Sequence, residues 1–199
     1  MKIVQCEQYG SHLDLVVREI DPPGQPAPNQ VKVAIVARGI AFSDLVRFEG
    51  TYQEKAPLPF VVGGEGAGTI IAVGSAVTHL KVGDRVLVPS GCVEQVNVDA
   101  GRALLLPEQV GCSAAAAFRT NYATAYYGLQ LANLQPGETL LIHGAGGGVG
   151  LAAVDLGKLY GARVIGTASS HEKRAVVTSL GADQVLDSAQ GFREQVKHL

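Results

Sequence analysis

Hydrophobic and polar positions follow different patterns in the two halves of the chain. Up to about residue 110, short apolar runs alternate with turns rich in glycine and proline, which predicts a β-rich region. The predicted strands are 2–6, 14–18, 31–38, 66–74, 84–89 and 94–98. Beyond Ser113, which we predict to be a helix N-cap, residues 114–117 and 122–131 favour helices. The pattern therefore changes after Ser113.

From residue 139 onward, strands and helices alternate. The predicted order is strand 139–143, helix 149–160, strand 162–167, helix 172–180 and strand 184–187, with helical spacing again over 192–199. This order is typical of one mononucleotide-binding half of a doubly wound parallel sheet. Gly161 and Gly181 stand where two helices should end, as left-handed residues. One face of the first of these helices is predicted to carry Val149, Ala152, Ala153, Leu156 and Leu159.

The turn between the first strand and this helix has the sequence GAGGGVG at 144–150. Glycines permit positive φ angles, let backbone N–H groups approach phosphates, and allow the helix to pack close to the strand. A dinucleotide pyrophosphate binds at such a helix N-terminus. We therefore predict a nucleotide site here, with a merely structural turn as the alternative. The predicted contacts are Gly144, Gly147, Gly148, Val149 and Gly150.

Net charge, apolar run lengths and cysteine number limit the kinds of partner and the cellular location that the sequence favours. The formal net charge of −2 argues against nucleic acid and anionic membranes. No apolar stretch is long enough to cross a bilayer, and the first residues do not form a signal peptide. Cys6, Cys92 and Cys112 are odd in number and lack metal-ligand spacing, which indicates reduced thiols and a cytoplasmic location.

Five short motifs occur in one recognisable order: GIAFSD at 39–44, GGEGAG at 63–68, VGDRV at 82–86, TAY at 124–126, and the glycine turn. With them the chain resembles the medium-chain dehydrogenase/reductase superfamily, and within it the zinc-independent quinone oxidoreductases related to zeta-crystallin. The resemblance covers essentially the whole chain. It implies an α/β protein with a GroES-like β-barrel domain at 1–122, a partial Rossmann domain at 123–199, and an active site in the cleft between them.

The resemblance also implies that the sheet would continue beyond this chain, so that the chain looks truncated. The edge of the first Rossmann strand would then lie open, which favours pairing with another chain or aggregation. A homodimer is implied for the full-length protein.

Zinc-dependent relatives place a cysteine at the position of Ala41 and a histidine at that of Gly64. Neither residue present here can donate a side-chain lone pair to zinc. The four-cysteine structural zinc lobe of those relatives is missing as well. We therefore predict no metal, and a zinc alcohol dehydrogenase is the disfavoured alternative.

The second Rossmann strand ends without the carboxylate that NAD-selective domains use to bind the ribose. The hydroxyls of Ser169 and Ser170, with Lys173 and Arg174 one turn further on, suit a 2′-phosphate instead. In the resemblance, Lys173 matches the NADPH-binding lysine, and Ser188 replaces a tyrosine that contacts the 2′-phosphate. We therefore predict NADPH as the cofactor, with ordinary solvated charges at 173 and 174 as the alternative.

Hydride transfer from a reduced nicotinamide to a quinone or an α,β-unsaturated carbonyl needs orientation and a donor for the acceptor oxygen. In the resemblance, Tyr52 matches a tyrosine that lines the cleft, and its phenol could be this donor. The resemblance also places Thr124 and Ala41 beside the cofactor, the latter in place of an asparagine. The alternatives are a packing role for Tyr52 and a hydroxyl bonded to its own helix for Thr124. His143 is expected to be buried and hydrogen-bonded rather than a general base.

These observations predict an NADPH-dependent, zinc-independent oxidoreductase that acts on a small-molecule quinone or enone. The alternative from another class is a non-catalytic cofactor-sensing or partner-binding protein on the same scaffold. It is motivated by Ala41 and by the missing half of the sheet.

Overall fold

The structure is a computed structural model that describes residues 1–189 and 191–197. The chain divides into two compact units, Met1–Arg119 and Thr120–Leu199. The domain boundary that we predict at 122–123 remains a prediction, close to this division.

The first unit is built from antiparallel strands in two sheets. Its strands are β1 Lys2–Cys6, β2 Val16–Glu19, β3 Gln30–Gly39, β4 Phe60–Val61, β5 Glu65–Val73, β6 Arg85–Val88, β7 Gln95–Asp99 and β8 Leu104–Leu105. The larger sheet has the order β7-β3-β5-β6-β8, and the smaller has the order β2-β1-β4. The unit also contains α1 Phe42–Phe48, α2 Cys112–Ala116, and two short 3₁₀ helices at His12–Asp14 and Ala100–Arg102.

The core of the first unit lies against one face of the larger sheet. Along β3, the buried Val31, Val33 and Ile35 alternate with more exposed residues, as a half-buried strand requires. They pack in one cluster with Ile70 of β5 and Val86 of β6. Alternation of apolar and polar residues therefore determines which side of β3 faces inward.

The second unit is a parallel sheet with helices. Its elements are α3 Arg119–Leu131, β9 Thr139–Ile142, α4 Gly148–Leu159, β10 Arg163–Ala168, α5 His171–Ser179, β11 Gln184–Asp187 and α6 Phe192–Lys197. The strand order is β11-β10-β9, with both pairs parallel. Within the described part of the chain, β9 is therefore an edge strand, and the carboxyl ends of the three strands meet at one edge of the sheet.

The alternating order of strands and helices that we predict for the second unit is confirmed. Gly161 has a φ of 75° and Gly181 a φ of 101°, so both adopt the left-handed conformation expected after a helix. In the helical region predicted at 192–199, α6 ends at Lys197. His198 and Leu199 lie outside the described residues.

The predicted apolar face of α4 is buried only in part. Ala152 is buried, but Val149 is 40% exposed and Leu159 is 77% exposed, whereas Val154 and Gly157, outside that face, are buried. The helix packs through its small residues, because a Cβ at position 157 would lie 2.8 Å from a Leu140 methyl group and 3.0 Å from one of Val164. Close packing on the sheet thus selects residues by size rather than by hydrophobicity.

Other local predictions need correction as well. Ser113 is not an N-cap: Gly111 occupies that position, and Ser113 lies inside α2. The strand expected from residue 14 begins at Val16, because residues 12–14 form a 3₁₀ helix capped by Ser11. The short elements α1, β4 and β8 are too brief for periodicity to indicate them.

In the residues that the structure describes, no helix is both long and apolar enough to cross a membrane.

Candidate functional site

The glycine turn lies at the carboxyl edge of the parallel sheet, between β9 and α4. Gly144 adopts a φ of 65°. Its N–H donates to the hydroxyl oxygen of Thr167 over 3.3 Å, and the N–H of Ala145 donates to the Thr167 carbonyl over 2.8 Å. Thr167 is buried near the end of β10 and so holds the turn against the neighbouring strand. Our sequence analysis missed this role, for which the only signal was a hydroxyl near a strand end.

At three glycines of the turn, an added Cβ would come closer than 3.0 Å to a neighbouring atom. A Cβ at position 150 would lie 2.4 Å from the Gly144 carbonyl oxygen, and one at 148 would lie 2.6 Å from Oδ1 of Asn121. At position 146 it would lie 2.8 Å from Cβ of Lys173. The turn is therefore packed against α3 and α5 as tightly as glycine permits.

Gly147 differs from these three glycines. It is the N-cap of α4, it is exposed, and its φ of −91° suits any residue. A Cβ there would meet only the Gly144 carbonyl oxygen, at an ordinary 3.4 Å. The space in front of Gly147 is thus open, at the end of a helix whose first backbone N–H groups and macrodipole favour an anion. A phosphate fits this cradle, and a side chain at position 147 would fill it.

The residues predicted to contact a 2′-phosphate lie around the first turn of α5. Ser169 is exposed, and Ser170 is the N-cap of α5, where its hydroxyl oxygen accepts the Lys173 N–H over 3.3 Å. The Lys173 side chain is exposed and passes over Gly146. Its ammonium forms no ion pair within the described part of the chain. Ser188 is exposed in the turn after β11, and its N–H donates to the Ala168 carbonyl over 3.2 Å.

The Arg174 side chain forms an ion pair and a hydrogen bond within the protein, so it is not an ordinary solvated charge. Its guanidinium lies 3.0 Å from the Asp187 carboxylate and donates to the Ala168 carbonyl over 3.2 Å. Beside it, Glu172 accepts hydrogen bonds from its own backbone N–H and from the Ser170 hydroxyl, which lower the pKa of the Glu172 carboxyl. The partnership of Arg174 with Asp187 was not predicted.

The predicted contact Thr124 lies exposed on α3. Its hydroxyl donates to the Thr120 carbonyl over 2.6 Å, which is the local bond that we weighed as the alternative. Nearby, the Tyr122 hydroxyl donates to the Asp155 carboxylate of α4 over 2.8 Å, and this bond raises the pKa of Tyr122. Asn121 and Tyr122, which the sequence analysis did not single out, therefore connect α3 to the helix that follows the glycine turn.

Ala41 and Tyr52 belong to the first unit, at the two ends of α1. Ala41 is the N-cap, and its N–H donates to the buried Asp44 carboxylate over 2.8 Å. Tyr52 is half-buried beyond the helix, with the Arg47 guanidinium 5.1 Å from its ring centroid. Its phenol has no hydrogen-bond partner among residues 1–189 and 191–197.

His143 does not match the expectation of a buried histidine. Its side chain is exposed, and its ring packs edge-on against Phe192, with 4.9 Å between the ring centroids. The reason is that β9 ends at Ile142, so His143 already belongs to the surface turn.

The residues at the family's zinc-ligand positions do not fit a metal. Ala41 and Gly64 offer no donor atom. Within the described residues, the structure brings together no group of three or more histidine, cysteine, aspartate or glutamate side chains that could hold an ion.

A glycine turn at the carboxyl edge of a parallel sheet, after an antiparallel β unit, places this chain in the class of proteins with a dinucleotide-binding fold. Residues 27–129 match the alcohol dehydrogenase GroES-like domain, and residues 148–199 match the zinc-binding dehydrogenase domain. The chain belongs to the quinone oxidoreductase-like family of the medium-chain dehydrogenase/reductase superfamily. The predicted family and the predicted fold class, a GroES-like domain followed by part of a Rossmann sheet, are thus confirmed.

Three similar proteins illustrate this relationship. The quinone oxidoreductase-like protein 2 homolog of Nematostella vectensis is 40% identical over 205 residues, covering 100% of this chain and 55% of that protein. The structure of Escherichia coli quinone oxidoreductase complexed with NADPH has a TM-score of 0.89 and 33% identity, covering 100% of this chain and 62% of that one. The CurK enoyl reductase structure has a TM-score of 0.89 and 30% identity, covering 99% of this chain and 63% of that one. This chain therefore spans between about half and two thirds of their lengths.

Proposed function

We propose that this protein is an NADPH-dependent oxidoreductase that reduces a quinone or an α,β-unsaturated carbonyl without zinc. The observation that carries the proposal is the cradle in front of Gly147, with the exposed Lys173 beside it. Two similar structures support it, a quinone oxidoreductase complexed with NADPH and an enoyl reductase. Both substrate classes accept a hydride at carbon or oxygen of a conjugated system, so the relatives support either.

We assign the residues of the second unit to binding. The N–H groups at the start of α4 bind the pyrophosphate, with Gly144, Gly147, Gly148, Val149 and Gly150 forming the turn. Lys173, with the hydroxyls of Ser169, Ser170 and Ser188, holds the 2′-phosphate. Thr124 and Ala41 are assigned to the nicotinamide end by resemblance alone.

When NADPH is bound, it supplies a hydride to the acceptor. The protein's own contribution is to orient the acceptor and to donate a hydrogen bond to its oxygen as negative charge develops there. We assign this donor role to the Tyr52 phenol, which is half-buried and has its O–H available within the described structure. We propose no metal, because Ala41 and Gly64 cannot act as ligands.

The test begins with fluorescence titrations of the chain with NADPH and with NADH. We expect NADPH to bind more tightly. A panel of quinones and enones, followed at the nicotinamide absorbance, then identifies the acceptor, and metal analysis of the purified protein checks the zinc assignment. Equal affinity for the two cofactors would contradict the NADPH assignment, and stoichiometric zinc would contradict the metal-free chemistry.

The second candidate function is non-catalytic cofactor sensing or partner binding. It is favoured by two observations at the nicotinamide end: Ala41 has no polar side chain, and the Thr124 hydroxyl is already bonded to Thr120. Stoichiometric NADPH binding without turnover of any acceptor, even on a length-restored chain, would support this role. NADPH oxidation with a quinone or an enone would exclude it.

We also propose, from the resemblance and the free cysteines Cys6, Cys92 and Cys112, a cytoplasmic protein whose full-length form is a homodimer. Light scattering of the full-length protein and its location in fractionated cells test these two points.

A further inference from the structure

We propose that Arg174 makes the adenosine end of the site selective for a 2′-phosphate by neutralising the Asp187 carboxylate. This inference rests on the NADPH binding proposed above. Arg174 then acts as a positioning residue, through another side chain, rather than as a direct ligand of the phosphate.

Asp187 can affect selectivity for a 2′-phosphate because of its position in the sheet. It is the last residue of β11 and lies in register with Ala168, the last residue of β10. Ligands of open parallel sheets bind at the carboxyl ends of the strands. The second Rossmann strand carries no carboxylate at its own end, but the neighbouring strand brings one to the same edge.

The contacts of Arg174 join the two strand ends. Its guanidinium lies 3.0 Å from the Asp187 carboxylate and donates to the carbonyl of Ala168 over 3.2 Å. The side chains of Arg174 and Asp187 are only 25% and 20% exposed, so solvent screens the pair incompletely. A planar guanidinium can reach a carboxylate and a carbonyl at once, which the single ammonium of a lysine does less well.

The local charges show why the pair matters. The first turn of α5 and the end of β11 carry two positive groups, Lys173 and Arg174, and two negative groups, Glu172 and Asp187. With Arg174 in place these charges balance, and the Lys173 ammonium, which forms no ion pair among the described residues, is left to attract a phosphate. Without Arg174 the cluster is negative, and Asp187 repels a 2′-phosphate as the ribose-binding carboxylate of an NAD-selective site would.

The test uses two probes that contain only the adenosine end of the cofactors, 2′,5′-ADP and 5′-AMP. Each is titrated calorimetrically into the 199-residue chain. We expect Arg174→Ala to weaken 2′,5′-ADP by roughly fivefold to tenfold and to leave 5′-AMP within about twofold. Both probes carry the 5′-phosphate, but only 2′,5′-ADP carries the 2′-phosphate that the unpaired Asp187 carboxylate would repel. The difference should shrink at high salt.

Three further variants separate charge from structure. Asp187→Asn should tighten 2′,5′-ADP, because it removes a negative charge and leaves the guanidinium uncompensated. The double variant R174A/D187N should return close to the wild-type preference, and R174K should retain most of it. The matched control is Lys158→Ala, which breaks the Lys158–Asp183 ion pair of 2.7 Å at the opposite edge of the sheet and should not change the ratio of the two affinities.

Each outcome of these titrations either supports or overturns the proposed role of Arg174. If R174A weakens both probes equally, or if D187N leaves the ratio unchanged, the inference is overturned while the proposed function stands. If R174A does not fold, D187N alone decides, since it keeps the arginine. If the wild-type chain shows no preference for 2′,5′-ADP, the proposed NADPH binding itself fails, and the inference with it.

Discussion

The two units hold their proposed functional residues in different ways. In the second unit, the proposed pyrophosphate site is made of backbone: a Cβ at Gly150 would lie 2.4 Å from the Gly144 carbonyl oxygen, and Gly147 is the N-cap of α4. In the first unit, Ala41 and Tyr52 flank α1 and can act only through their side chains, one of which is a methyl group. The comparison teaches that changes in the glycine turn act by sterics, whereas a change at Tyr52 acts by removing a chemical group.

The largest effect is expected from Gly150→Ala. Its Cβ would lie 2.4 Å from the backbone oxygen of Gly144, which cannot move without breaking the turn. We expect a loss of about 3 kcal/mol in the free energy of unfolding, as overpacking of a closed site costs. Urea denaturation followed by circular dichroism measures it.

Gly128→Ala is the matched control for this variant. Position 128 is also a helical glycine, in α3, but a Cβ there would meet nothing within 4 Å. We expect G128A to be neutral or to gain up to about 1 kcal/mol from helix propensity. Equal destabilisation by G150A and G128A would show that the turn is not tightly packed.

The next largest effect is expected from Gly147→Phe. The substitution should be tolerated by the fold, because position 147 is exposed and its φ of −91° is ordinary. The ring would occupy the place of the pyrophosphate, so we expect NADPH affinity to fall at least about a hundredfold, as loss of several charge-assisted hydrogen bonds implies. Fluorescence titration measures the affinity, with G147A as a graded control. Undiminished affinity in a folded G147F would contradict the backbone site.

The first unit is tested by Tyr52→Phe. Removing the phenol should reduce the turnover number of the full-length protein about tenfold, as loss of one hydrogen bond to the acceptor oxygen implies, and should leave NADPH affinity unchanged. Steady-state kinetics and titration together check this. Tyr127→Phe, at an exposed position of α3, should change neither. Full activity in Y52F would remove Tyr52 from the chemistry.

The smallest effect, about 1 kcal/mol of stability, is expected from Tyr122→Phe, which removes the bond to Asp155. Because this bond raises the pKa of Tyr122 in the folded state above its ordinary value of 10.0, its stabilisation is present below that pH and is lost as the pH rises through the folded pKa. The gap between wild type and Y122F should therefore close in strongly alkaline solution. Tyr160→Phe is the control. A stability difference between wild type and Y122F that persists in strongly alkaline solution would contradict the role of the bond.

The sequence indicated the parts of the site that depend on local geometry. The glycine turn, the left-handed Gly161 and Gly181, and the alternation of strands and helices all follow from backbone freedom and short-range periodicity. The buried face of α4 could not be predicted in the same way, because its contacts with Leu140 and Val164 select small residues such as Gly157. Short elements such as α1 carry too few residues for a periodic signal.

By itself, then, the sequence determined the class of fold, the place of the glycine turn and the absence of donor side chains at positions 41 and 64, because each depends on residue type and near neighbours. Only the tertiary structure decided that Thr167 holds the turn, that Asn121 lies against Gly148, and that Arg174 pairs with Asp187. These contacts join residues from separate elements that the parallel sheet brings to one edge. Their energies depend on distance and burial in the folded chain, which neither composition nor spacing contains.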